Sequence, residues 1–121
     1  MAHILLAEDD DSMLNFLTLA LERAGHTVVA KTNGQDAYDA LNSEVFYDLL
    51  LTDIVMPGMD GIELAQKASN KRPDLKVMFI TGFAAMAMKD LAKADMNETK
   101  FMSKPFHLND LVDQVERLLN A

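Results

Sequence analysis

No cysteine occurs in the 121 residues of this chain. That absence excludes disulfides, thiolate chemistry and cysteine-ligated zinc, and it fits an intracellular, cytoplasmic protein. Long hydrophobic runs are missing as well. Nothing approaches the roughly 20 apolar residues that a membrane-spanning helix needs. The N-terminus reads as a strand ending in acids, without the basic region that precedes a signal segment. Basic residues are scarce, with 11 Lys+Arg against 19 Asp+Glu and a net charge of −8. Direct nucleic-acid binding draws much of its affinity from Lys and Arg neutralising phosphates, so this balance argues against it. Internal repeats, low-complexity segments and linkers are absent too. One domain over residues 1–121 is expected, with no room for an output domain beside it.

What is present is an alternation of short apolar runs with amphipathic stretches. Strands are expected over His3–Ala7, Thr27–Ala30, Asp48–Thr52, Lys76–Ile80 and Thr99–Met102. Between them, helical spacing appears from Asp11 to Ala24, where Gly25 ends it, then over Gln35–Leu41, Ile62–Ser69 and, more weakly, Ala84–Lys93. A final helix carries one apolar stripe of Leu108, Leu111, Val112, Val115, Leu118 and Leu119. Five βα units in a row imply an α/β fold, a mostly parallel five-stranded sheet with helices on both faces. Leu49-Leu50-Leu51 and Val77-Met78-Phe79-Ile80 are continuously apolar, which suits strands covered on both sides.

In such sheets ligands bind outside the carboxyl ends of the strands. The residues there are Glu8, Asp9, Asp10 and Asp11 after the first strand, and Lys31 with Thr32 after the second. Asp53 follows the third, Thr81 with Gly82 the fourth, and Lys104 with Pro105 the fifth. Carboxylates gathered at one edge repel each other and call for a cation. Oxygen ligands that leave water positions open suit Mg²⁺. A carboxylate can also attack phosphorus to give an aspartyl phosphate. A lysine and a hydroxyl would then bind the phosphoryl oxygens, since this transfer depends on positioning and charge neutralisation.

The segments ILLAEDD, LLLTDIVMPGMDG, FITGF and FMSKPF, in that order and spacing, resemble the four signature segments of the response-regulator receiver domain. The resemblance spans the whole chain. It implies a flavodoxin-like fold with strand order 2-1-3-4-5 and a phosphoryl group accepted on Asp53. The donor would be a phosphohistidine on a sensor histidine kinase or a histidine phosphotransfer protein. By the same resemblance Asp9 binds Mg²⁺ directly and Glu8 through water. Asp53 and the backbone carbonyl of Val55 complete the protein ligands. Lys104 pairs with the phosphoryl group, Thr81 hydrogen-bonds to it, and Phe101 stands at the aromatic switch position. Output is expected at the face of the fourth helix, fifth strand and fifth helix, through binding of a downstream protein. The chain also resembles short alphaproteobacterial receivers that act as regulated adaptors for an energy-dependent protease.

Plainer roles account for several neighbours. Asp10 and Asp11 are expected to serve the first helix through capping and the dipole, and Pro57, Gly58 and Gly61 to shape a loop. His3, His26 and His107 fall at element edges, where His107 is placed to cap the last helix. Ala84 to Met88 is apolar throughout, either packed on the sheet or offered to a partner. A phosphorelay intermediate is an alternative within the same reading. An aspartyl-phosphate hydrolase would need a second acid within two residues of the nucleophile, where Ile54 and Val55 stand. A flavodoxin-like cofactor binder would need a hydroxyl- and glycine-rich phosphate loop after the first strand, where the acids stand instead. Val55 and Phe83, each two residues beyond Asp53 and Thr81, would by resemblance flank the path of an attacking water.

Overall fold

The apolar runs form one parallel sheet. Its strands are β1 (His3–Ala7), β2 (Thr27–Lys31), β3 (Leu49–Asp53), β4 (Lys76–Thr81) and β5 (Lys100–Ser103). Their order is β2-β1-β3-β4-β5, and all four pairings are parallel, as expected. The computed structural model describes residues 1–81, 100–103 and 107–120. Within those, the helices are α1 (Asp11–Arg23), α2 (Gly34–Leu41), α3 (Gly61–Lys71) and the C-terminal helix α4 (Leu108–Leu119). The helix expected over Ala84–Lys93 lies outside the described residues.

Strand side chains alternate between faces, so each central strand feeds two separate cores. On one face Leu5, Leu50, Val77 and Phe79 meet Ala37 and Leu41 of α2 and Leu64, Ala65 and Ala68 of α3. On the other, Ile4, Leu6, Leu49, Leu51, Met78 and Ile80 meet Leu14, Leu17 and Leu21 of α1 and Leu111, Val115 and Leu118 of α4. All five residues of β3 are buried, which places that strand at the centre of the fold. Leu108, Val112 and Leu119 flank the second core, so the apolar stripe read in the last helix faces the sheet.

Local chemistry sets the helix ends. Asp10 caps α1, its Oδ1 accepting from the Met13 amide at 3.0 Å. Asn33 caps α2 and Asp60 caps α3 in the same way. After α1, Gly25 takes φ 98° while its amide donates to the Glu22 carbonyl and the His26 amide to the Leu21 carbonyl. This pair of bonds is the Schellman ending, which a left-handed glycine makes possible. His107 occupies the N-cap of α4 but makes no side-chain cap bond, contrary to the role expected of it.

Four strands differ from their expected bounds. β2 extends from Ala30 to Lys31, β3 runs one residue later than Asp48–Thr52, β4 extends to Thr81, and β5 is displaced by one from Thr99–Met102. In each case a polar residue joins the hydrogen-bonded ladder, and apolar patterning does not register polar residues. Asp53 is therefore the last strand residue, paired with Ile80, and not the first loop residue.

Candidate functional site

The ladder assembles the site. Ala7 pairs with Thr52, so the next residues, Glu8 and Asp53, come side by side at the carboxyl edge. The Glu8 amide donates to the Lys31 carbonyl at 3.1 Å, holding the chain in line for one residue beyond β1. Glu8 is fully buried and Asp53 is 6% exposed, whereas Asp9 is open to solvent. Carboxylate oxygens of Glu8, Asp9 and Asp53 all lie within 4.8 Å of one another. Glu8 Oε2 also accepts from the Asp10 amide at 3.2 Å, which ties it to the head of α1. Thr52 Oγ1 donates to the Asp53 carbonyl at 2.8 Å, a contact that the sequence did not single out.

The loop from Ile54 to Asp60 closes over this edge. Ile54 and Met56 are buried on either side of Val55, whose side chain is 54% exposed. The Gly61 amide returns to the Ile54 carbonyl at 2.8 Å and shuts the loop at its base. Gly61 is more than the loop-former it was expected to be. A Cβ at Gly61 would strike the backbone carbonyl of Asp53, so this close approach admits glycine alone. Gly58 does play the expected turn role, with φ 73° and open space around it.

Three carboxylates this close, two of them withdrawn from water, form a natural seat for a cation. The donor set is entirely oxygen and supplies few protein ligands. It fits a small, hard divalent ion that keeps some of its waters. Ile54 and Val55 follow Asp53, so no acid for hydrolase chemistry stands within two residues of it. Of the other expected site residues, Thr81 ends β4 opposite Ser103, and Phe101 sits in β5 opposite Phe79. The sheet thus brings Thr81 to the same edge as Asp53. Gly82, Phe83, Lys104 and Pro105 lie outside the described residues.

Residues 4–116 match the response regulator receiver domain. The chain belongs to that family. Its likeness to a response regulator receiver protein CpdR of Brucella abortus (strain 2308) is 56% identity over 121 residues, covering 100% of this chain and 99% of the relative. The sensor kinase CckA of the same organism is 35% identical over 98% of this chain, which spans only 12% of that kinase. Among solved structures, a response regulator receiver protein from Sinorhizobium medicae WSM419 superimposes with a TM-score of 0.89. It shares 31% identity, over 99% of this chain and 95% of its own. The chain is thus a receiver of two-component signalling with the parallel α/β architecture of that family. No helix among the described residues is long and apolar enough to cross a membrane.

Proposed function

We propose that this receiver is a phosphorylation switch in which Asp53 accepts a phosphoryl group with the help of Mg²⁺. The supporting observation is the placement of Asp53 at the end of the wholly buried β3, 6% exposed, with its carboxylate within reach of Glu8 and Asp9. Asp9 and Asp53 would hold the ion directly, Glu8 through water, and the Val55 carbonyl would complete the protein ligands. Bound there, Mg²⁺ supplies the charge that offsets the carboxylates and the incoming phosphoryl oxygens.

In the transfer an Asp53 oxygen attacks phosphorus. The P–N bond to the donor imidazole breaks as the new O–P bond forms, and the imidazole nitrogen takes up a proton. Burial of Asp53 at a rigid strand end fixes the attacking oxygen, which is where positioning matters most. Thr81 and Lys104 bind the phosphoryl oxygens, and Phe101 turns as Thr81 moves. The donor is a sensor histidine kinase or a histidine phosphotransfer protein. Output follows from binding a downstream protein at a face that includes β5 and α4. In this reading the chain acts inside the cell as a regulated adaptor for an energy-dependent protease, without a catalytic reaction of its own.

The test is phosphorylation by acetyl phosphate in Mg²⁺, followed by intact mass. One phosphoryl group is expected on the wild type and none on Asp53→Ala. Labelling that survives in the variant would refute the assignment.

A further inference from the structure

We infer that Gly34 is a positioning residue for the loop that carries the Val55 carbonyl, an inference that rests on the Mg²⁺ site proposed above. Gly34 opens α2, is buried, and does not lie among the positive-φ glycines Gly25 and Gly58. Its backbone is thus one that any residue adopts, and it is the surrounding space that demands glycine. A Cβ at Gly34 would fall 2.5 Å from the carbonyl oxygen of Met59, 3.1 Å from its Cβ and 3.2 Å from its carbonyl carbon. Two of those atoms are backbone and cannot rotate aside.

The loop between β3 and α3 therefore rests on two abutments. At its base Gly61 lies on the Asp53 carbonyl, and at its flank Gly34 lies on the Met59 carbonyl. Between them Ile54 and Met56 are buried, and the Gly61–Ile54 bond closes the ring, so Val55 has little freedom to move independently. α2 cannot simply retreat from a larger residue. Asn33 fixes its first turn through the Asp36 amide, and Ala37 and Leu41 are locked in the core shared with α3. A side chain at position 34 would instead push Met59, and the loop would carry the Val55 carbonyl with it. Glu8, Asp9 and Asp53 would stay where they are.

The experiment is Mg²⁺ titration of the purified full chain by calorimetry, with melting temperature in EDTA measured alongside. Gly34→Ala is expected to weaken Mg²⁺ by about tenfold, the scale on which supports of metal ligands act. Helix propensity alone would favour alanine and leave the ion unaffected. Leu41→Ala, at the other end of α2, is expected to lower the melting temperature without changing Mg²⁺ affinity. Gly34→Ala binding Mg²⁺ within about twofold of wild type would overturn the inference while leaving the proposed site intact. A wild type that binds no Mg²⁺ would overturn both. Should Gly34→Ala fail to fold, Met59→Gly removes the Cβ on the other side of the abutment. It is expected to weaken Mg²⁺ several-fold, and unchanged affinity there would again overturn the inference.

Discussion

At the amino ends of the strands, charged groups close the fold, whereas at the carboxyl ends they are held against one another. Arg72 donates to the carbonyls of Leu41 at 2.9 Å, Ser43 at 2.8 Å and Val45, with its guanidinium 5.5 Å over the Tyr47 ring. Lys76 Nζ donates to the Leu118 and Leu119 carbonyls at 2.8 and 3.3 Å, completing the last turn of α4. Asp48 accepts from the His3 amide at 2.8 Å. These bonds join residues 31, 42 and 45 positions apart. At the other edge Glu8 accepts from an amide two positions along the chain and Asp10 from one three positions along, and three carboxylates share one small volume. One end contributes long-range stability. The other gathers carboxylates, two of them buried, at one strand edge, an arrangement typical of a functional site.

That contrast can be broken in order of effect. Asp9→Ala is expected to abolish Mg²⁺ binding and Glu8→Ala only to weaken it, read by calorimetry; a larger loss with Asp10→Ala would shift the ligand assignment by one residue. Next, Arg72→Ala should cost about 2 kcal/mol in denaturant unfolding, since charge-assisted bonds to carbonyls are lost. Asp53→Asn, at the opposite edge, should change metal-free stability by less than about 1 kcal/mol, since the substitution is isosteric and opens no cavity. If both changes destabilise alike, the two ends do not differ as described. Third, Val55→Asn with Phe83→Glu should shorten the aspartyl-phosphate lifetime about tenfold, equal to about 1.4 kcal/mol of barrier. Polar side chains there would hold an attacking water, and decay is followed after removal of the donor.

The smallest effect concerns Tyr47. Burial pushes its phenol above the ordinary value of 10.0, with the Arg72 charge pulling the other way. A raised acid favours the neutral form in the fold. Its contribution is therefore complete below pH 10 and is lost as pH climbs past the ordinary value toward the raised one. Wild-type stability should fall more steeply than that of Tyr47→Phe in that window.

Much of this arrangement is legible in the sequence. Leu49-Leu50-Leu51 announced a strand covered on both faces, and the spacing from Leu108 to Leu119 announced the face of α4. The acids after β1 and at the end of β3 stand out because such residues rarely close apolar runs without a reason. Strand ends fall one residue away from the apolar pattern where Lys31, Asp53, Thr81 and Ser103 continue the ladder, because hydrogen-bonded pairing is indifferent to side-chain polarity. Gly61 reads as an ordinary loop-former and Gly34 carries no signal of its own, since nothing local says which carbonyl will press against a residue. Arg72 was equally silent, its acceptors lying 27 to 31 positions back along the chain. His107 carried a plausible cap signal, but only the backbone of that residue serves the helix.

The amino-end closure has a topological consequence. The Ala2 amide donates to His26 Nδ1 at 3.1 Å, and His26 Nε2 lies 3.5 Å from Glu116 of α4. Met1, Ala2, Leu119 and Asn120 line one cleft of about 190 Å³. Both ends of the described chain thus meet on the side of the sheet remote from Asp53. A short glycine bridge could join them without disturbing either core, and new ends could open at the exposed Ser43–Glu44 step. Such a circular permutant would keep β3 and its carboxyl edge uncut, making the connectivity of the chain separable from the chemistry it supports.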